Sequence, residues 1–315
     1  MTSLLAEASS QYLVIFNRWL ESHINELSLR ANSIPLMNES QSYSLLTGGK
    51  RFRPFLTYLV SKLWMLDVES IKNYCLALEM VHTYSLIHDD LPCMDNDDYR
   101  RGQLTSHKKF GEDIALLAGD ALLTEAFYLI SHQKNLKADI KIKLIQILSE
   151  KIGATGMVGG QVLDMKSDFQ KEFQILSESK AQNPQTSALQ NTENSLRILE
   201  KIHTLKTGYL IQAAAVGGAI LAEASNEELQ FISDFALNLG LAFQIKDDLL
   251  DVNDPEQDFK SYLFLLGFEQ TQHELQKKSD LAENSIRKLQ NFASIQQPTL
   301  QLLVDLIRYN QNRVS

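Results

Sequence analysis

Cysteine is nearly absent from the 315 residues: only Cys75 and Cys93 occur, with no metal-ligand spacing between them. That excludes a disulfide framework and fits free thiols in a reducing compartment. Proline (6) and glycine (14) are scarce, which argues against a turn-rich β fold and for helices. Basic charge is in deficit, 30 Lys and Arg against 39 Asp and Glu, and the net charge of −9 excludes general nucleic-acid binding. An anionic substrate would have to be met by local positive charge or by metal. No apolar run of about 18 residues is apparent, so no membrane span and no stable membrane association are expected. The first residues lack a basic n-region and a small-residue cleavage site. With Glu7, Arg18 and Glu21 they read as an amphipathic helix rather than a signal, and the expected location is cytoplasmic.

What is present is helical periodicity. Hydrophobic residues make up 44% and charged residues 22%, ordinary for a globular chain able to bury a core. Helix-spaced apolar residues cover 4–29, 38–46, 55–64, 70–91, 111–131, 137–153, 156–166, 196–221, 227–252, 262–292 and 299–309. Strand-like alternation persists nowhere, and there is no fixed-period repeat. The stretch 167–195 is rich in Gln, Ser and Asn, and reads as a polar insertion, because helical patterning resumes on both sides. The expectation is a single all-α domain over 1–315, a bundle of about ten helices.

Two acidic clusters stand out. Five aspartates (Asp89, Asp90, Asp95, Asp97, Asp98) fall within ten positions, followed directly by Arg100 and Arg101. Carboxylates this dense repel one another unless cations sit between them. Oxygen-only ligands suit Mg2+, which takes its remaining ligands from water and substrate phosphate. The planar arginine donors match phosphate oxygens. An acidic loop after a helix is ordinarily a solvated turn, but a second cluster, Asp247-Asp248-Leu-Leu-Asp251, occurs at the far end of the chain. Asp247 and Asp251 are four apart and point from one helix face. Asp89 and Asp95 are six apart, about 120° off a common face, and need the break at Pro92 to converge. His82 lies two helical turns before Asp89 on the same stripe. Lys50, Arg51 and Arg53 sit in a Gly-Gly turn entering a helix, where backbone can approach an anion closely.

Together these segments resemble the trans-isoprenyl diphosphate synthases. The resemblance rests on Gly48-Gly49-Lys50-Arg51-Phe52-Arg53-Pro54, on His82 through Asp89-Asp90-Leu-Pro-Cys-Met-Asp95, and on Arg100-Arg101-Gly102. It continues through Phe110-Gly111-Glu112, Leu117 to Leu123, Met157 to Gln161, Lys206-Thr207-Gly208 and Gln244 to Asp251. Within the family the chain is most similar to the bacterial farnesyl type. The resemblance implies an isoprenoid-synthase bundle with a central cavity, a homodimer, and isoprenoid diphosphates as small-molecule substrates. It implies Mg2+, three ions per active site with Mn2+ as an alternative, held by Asp89, Asp90, Asp95, Asp247 and Asp251.

The implied reaction is head-to-tail condensation of isopentenyl diphosphate with dimethylallyl or geranyl diphosphate to give farnesyl diphosphate. Arg100, Lys206 and Lys260 would stabilise the departing diphosphate, and Thr207 and Gln244 would flank the allylic cation. Lys50, Arg53, His82 and Arg101 would hold isopentenyl diphosphate. Tyr84 and Ser85, just upstream of Asp89, would set product length, the ring at 84 pointing to a C15 product. Geranyl or geranylgeranyl diphosphate synthesis, or a weakly active regulatory subunit of a heteromeric synthase, are the alternatives. A cyclase or head-to-head enzyme would have no need of Lys50, Arg53 and His82. The segment after Asp251 departs from the pattern: it is shorter, its loop lysine is missing, and only Lys260 remains, with Lys246 a candidate partial substitute.

Overall fold

The computed structural model describes residues 2–165, 188–253 and 260–314. The chain divides into two compact units, one comprising Ala6–Gln146 and Gly217–Glu223, the other Met1–Leu5, Ile147–Val216 and Ala224–Ser315. Helices dominate both, as the periodicity predicts.

In the first unit, α1 (Ser3–Leu29) packs its aromatic stripe on α3 (Phe52–Lys62). The Tyr12 ring stacks on Tyr58 at 4.8 Å and meets Phe55 at 5.7 Å. The fully buried Tyr12 ring contributes about 2 kcal/mol of apolar burial. The helix α2 (Pro35–Leu46) starts on a proline, which has no N–H to leave unpaired. The helix α4 (Lys72–Asp89) buries Tyr74, Cys75, Leu76, Ala77, Leu78, Met80, Val81 and Ile87 around nearly its whole circumference. It is therefore a core helix rather than a surface one. The short α5 (Ser106–Phe110) leads through Gly111, at φ 96°, into α6 (Glu112–His132), which packs along α4.

Two differences from the sequence reading arise here. The helix α6 is long and apolar enough to cross a membrane by length and composition alone, although 39% of its apolar window is buried within the fold. A two-stranded antiparallel ribbon also forms, β1 (Tyr99–Arg100) against β2 (Gln103–Leu104). Strands of two residues are too short to leave an alternating pattern. Both cysteines are unpaired, Cys75 buried and Cys93 exposed. The helix α7 (Ala138–Ile152) completes the sequence before the second unit's principal segments.

The second unit contains α8 (Met157–Met165), α9 (Ala188–His203), a π-helical turn (Thr204–Gly208), α10 (Tyr209–Leu221) as far as Val216, and α11 (Asn226–Leu250). The polar insertion expected at 167–195 lies outside the described residues up to 187, and 188–195 open α9. The start of α11 is fixed by a reciprocal cap: the Ser225 hydroxyl accepts from Glu228 N–H at 3.3 Å, and the Glu228 carboxylate accepts from Ser225 N–H at 2.7 Å. Instead of one helix over 262–292, α12 (Tyr262–Leu266) and α13 (Phe268–Arg287) are separated by Gly267 at φ 79°. That left-handed backbone suits glycine and ends the helix. Leu199, Ala242, Ile245, Leu249, Tyr262, Leu263, Leu265 and Leu275 form the core that joins α9, α11, α12 and α13. The last helix is α14 (Gln297–Asn312).

Candidate active site

In the first unit, the Gly-Gly turn is built as expected for close approach. Gly48 and Gly49 have φ of 91° and 122°, and Arg51, the residue before α3, is also left-handed at 47°. A Cβ on Gly49 would lie 2.8 Å from the Arg101 guanidinium carbon, so glycine is what lets that arginine lie against the turn. Arg101 donates there to the Gly48 carbonyl. Arg51 turns inward: its guanidinium is buried, donates to the Leu45 carbonyl at 2.6 Å and pairs with the buried Glu79 of α4. The Arg53 Nε is buried without a hydrogen-bond partner among the described residues. Burial, reinforced by Arg101, lowers the Arg53 pKa to about 10. Burial, then the charges of Arg53, Arg101, Arg51 and Arg100, holds His82 well below the usual imidazole range, so it is neutral. Lys50 is exposed on the same turn. With Arg51 matched by Glu79 and Arg100 by Asp90, the unit sets Arg53 and Arg101 beside one neutral imidazole, a basic cluster suited to an anion.

The acidic loop is sorted by its partners. Asp90 is buried and accepts from Arg100 Nε at 2.6 Å, while Asp97 accepts from the same guanidinium at 3.2 Å and Asp98 from Lys108 at 2.7 Å. Burial raises the Asp90 pKa, and Arg100 only partly offsets it. Asp89 ends α4 half-buried, Asp95 is exposed, and the Asp95 N–H donates to the Asp89 carbonyl at 2.9 Å. That bond closes the turn through Pro92 and sets the two residues at one end of α4. Five residues before Asp89, Tyr84 is buried with its ring edge-on to His88 at 5.7 Å. The Ser85 hydroxyl donates to the His82 carbonyl at 2.9 Å.

In the second unit, a carboxylate unnoticed in the sequence organises the lysines. Asp164, on α8, accepts from Lys206 at 2.6 Å and from Lys260 at 3.0 Å, and Lys260 also donates to its carbonyl at 2.6 Å. Burial alone would raise Asp164, but the two ammonium groups outweigh it and hold the carboxyl below its ordinary range. Beside it, both amide atoms of Gln161 are buried without a partner among the described residues. The Thr207 hydroxyl donates to Gln244 Oε1 at 3.1 Å, and Gln244 Nε2 donates to Asp247 Oδ2 at 3.3 Å. Asp247 also pairs with Arg313, which follows α14. Asp248 accepts from the Tyr262 N–H at 2.7 Å, and Asp251 is exposed where α11 ends.

The π turn is what presents Lys206 and Thr207, and glycines make room for it. A Cβ on Gly160 would lie 2.4 Å from the Lys206 backbone nitrogen and 2.8 Å from Leu205 Cβ. Gly160→Ala is expected to cost about 1–3 kcal/mol, the usual penalty for overpacking, because one of the clashing atoms is backbone. Activity should fall with it. A thermal melt indistinguishable from the parent would show that the turn tolerates a methyl group.

Among the described residues, no group of three His, Cys, Asp or Glu side chains converges on one point. The carboxylates of the two acidic motifs are hard oxygen donors. That fits Mg2+, which keeps several waters and binds through one or two carboxylates plus substrate phosphates.

Residues 34–262 match the polyprenyl synthetase family. The chain belongs to that family. It is 41% identical to a farnesyl diphosphate synthase of Micrococcus luteus over 266 residues, covering 81% of this chain and 84% of that one. It is 40% identical to a geranylgeranyl diphosphate synthase of Cyanophora paradoxa over 247 residues, covering 78% and 75%. A crystal structure of a geranyltransferase from Legionella pneumophila superposes with a TM-score of 0.80 at 30% identity, covering 99% of this chain and 98% of that one. The all-α isoprenyl synthase fold and a prenyltransferase activity follow.

Within this polyprenyl synthetase, the expected residues fall into local groups. Arg53, His82, Arg100 and Arg101 cluster in one unit; Lys206, Thr207, Gln244, Asp247 and Lys260 are linked in the other. Sequence reasoning missed Asp164, Glu79 and Arg313. Asp164 sits three residues after Gln161, the end of the family-like run, and that proximity is its one signal in the sequence. The shortened segment after Asp251 falls at 254–259, outside the described residues.

Proposed function

We propose that this prenyltransferase condenses isopentenyl diphosphate with dimethylallyl and then geranyl diphosphate, with Mg2+, to give farnesyl diphosphate. The observation that carries the reading is the separation of roles: a basic cluster around neutral His82, and two lysines held ready on Asp164. Two diphosphates are thereby recognised by different residues. Lys50, Arg53, His82 and Arg101 hold the isopentenyl diphosphate, with neutral His82 able to donate one N–H. Lys206, Lys260 and Arg100 bind the allylic diphosphate and stabilise the charge that develops as its C–O bond breaks. Asp89 and Asp95, and Asp247 with Asp251, would hold Mg2+, which when bound would supply Lewis-acid neutralisation of that leaving group. Asp90 is a weaker candidate ligand, because Arg100 already matches its charge.

Thr207 and Gln244 present oriented oxygen dipoles to the allylic cation, their mutual hydrogen bond fixing both side chains. The double bond of isopentenyl diphosphate attacks the cation, and the released diphosphate takes up the proton that is lost. Water must be excluded, since it would otherwise capture the cation. The protein acts in the cytoplasm as a homodimer.

The 40% identity to a geranylgeranyl diphosphate synthase favours a second reading, a C20 product. One assay separates them. Purified protein, Mg2+ and isopentenyl diphosphate are combined with dimethylallyl, geranyl or farnesyl diphosphate, and the dephosphorylated alcohols are sized. Farnesol from the first two starters is expected, and Tyr84→Ala should shift the main product to C20 or beyond by opening the space its ring fills. Geranylgeraniol from the parent would overturn the length argument while leaving prenyl transfer intact. No product from any starter would sink the catalytic reading and favour a regulatory subunit.

A further inference from the structure

Thr105 opens α5 without capping it. Its hydroxyl makes no bond to the helix's own N–H groups, the usual use of a threonine there, and reaches back to the acidic loop. It donates to the Asp97 carbonyl at 2.8 Å, with the Asp98 carbonyl next at 3.4 Å. The Thr105 N–H donates to that Asp98 carbonyl at 3.0 Å. The hydroxyl oxygen also lies 3.1 Å from Nδ1 of His107, and both residues are buried. Carbonyl oxygens only accept, so the one hydroxyl proton goes to them and Nδ1 is the donor to Oγ1. Nε2 of His107 is buried without a hydrogen-bond partner among the described residues. A buried imidazole with one nitrogen unsatisfied carries a desolvation cost, and the bond to Thr105 is what offsets it.

The helix α5 is a fixed base, since its buried Ser106 meets buried Ser40 of α2 at 3.2 Å between hydroxyl oxygens. On the other side of the loop, the Asn96 N–H donates to the Leu91 carbonyl at 3.2 Å, with Asn96 left-handed at φ 56°. That one residue separates Asp95 from the tie at Asp97, and the Asp97 carboxylate accepts from Arg100 at 3.2 Å. Resting on the reading in which Asp95 holds Mg2+ and Arg100 binds the allylic diphosphate, we propose that His107 is the positioning residue of the first acidic loop. Its Nδ1–H fixes the Thr105 hydroxyl on the Asp97 carbonyl, and that tie sets the aim of Asp95 and Arg100. His107 acts through Thr105 and the loop backbone rather than by contact with substrate.

The test compares Thr105→Val, His107→Asn, His107→Gln and the double variant T105V/H107Q with the parent. An asparagine amide places its N–H close to where Nδ1 stands, whereas glutamine places it nearer to Nε2. Steady-state kinetics over Mg2+ and geranyl diphosphate should put H107N within about threefold of the parent. H107Q and T105V should each raise the Mg2+ half-saturation and the allylic KM about tenfold, the scale of one lost hydrogen bond. The KM for isopentenyl diphosphate should stay at the parent value. The double variant should be no worse than T105V, because both changes break one chain of bonds. H107N as impaired as H107Q, losses that multiply in the double variant, or a T105V with parent constants overturns the proposal. Thermal melts establish that each variant is folded, and T105V, which keeps the side-chain shape, carries the test if H107Q is not. A readout without metal or substrate is 15N NMR of the imidazoles in the metal-free full chain, with the His107 signals assigned by their absence from H107N. Nδ1 of His107 is expected to carry a proton in the parent, and a bare Nδ1 overturns the proposal. Failure of the underlying reading looks different: Asp95→Asn would then leave the Mg2+ half-saturation unchanged, and the proposal would fall with it although Nδ1 kept its proton.

Discussion

Asp89→Asn is expected to lower kcat by roughly a thousandfold, the scale at which removal of one preorganised electrostatic partner acts on a charged transition state. Asparagine keeps the shape of the side chain and loses its charge. Asp89 ends α4, so its backbone, which accepts from the Asp95 N–H at 2.9 Å, still closes the turn. The melting temperature should move by no more than a few degrees, and the Mg2+ concentration for half-maximal rate should rise. The comparison with Asp90→Asn is informative, because Asp90 is matched by Arg100 at 2.6 Å and is buried. D90N should act mainly by loosening Arg100. Steady-state kinetics over a Mg2+ series, with circular-dichroism melts, would decide the matter; a D89N kcat within tenfold of the parent removes Asp89 from the metal-binding role.

The largest stability effect is expected at Glu79. Its side chain is 3% exposed and Arg51's is 4%, so Glu79→Gln leaves a guanidinium buried without its counter-charge. Breaking a buried pair from one side costs about 3–5 kcal/mol. At about 2–4 °C per kcal/mol for a chain of a few hundred residues, the melting temperature should fall by about 10 °C. The loss reaches function too. Arg51 holds the left-handed turn that delivers Arg53, through its bond to the Leu45 carbonyl at 2.6 Å. Replacing both partners together by apolar residues should recover much of the stability but not the position of Arg53. Urea unfolding of the single and double variants measures this directly, and a cost under about 1 kcal/mol for E79Q would mean the guanidinium finds another acceptor.

Much of this was readable from residue order because the relevant physics is local. Helix periodicity marked α4 and α6 to within two residues at each end, whereas the expected common face of Asp247 and Asp251 presumed a helix that in fact ends at Leu250. Positive-φ glycines at 48 and 49 announced a turn that would admit a close neighbour, though not that the neighbour is Arg101, 52 positions later. What stayed hidden depends on partners far apart in sequence. Asp164 is a single acid on an ordinary helix until Lys206 and Lys260, 42 and 96 residues away, close on it. Arg313 lies 66 residues from Asp247, and no local pattern links them. The start of α9 inside a polar stretch was hidden for the opposite reason: helix formation there runs against a composition that looks like loop.

The double hold of Asp164 on Lys206 and Lys260 has a consequence for selectivity in the crowded cell. Both ammonium groups already possess an internal counter-ion, so a metabolite with a single negative charge gains little by replacing a carboxylate that is covalently tethered and always at hand. On the proposed reading, a polyanion with metal attached would bring more charge than Asp164 and draw the lysines away from it. The carboxylate then works as a threshold, and free acetate, bicarbonate or chloride at millimolar levels should leave turnover nearly untouched.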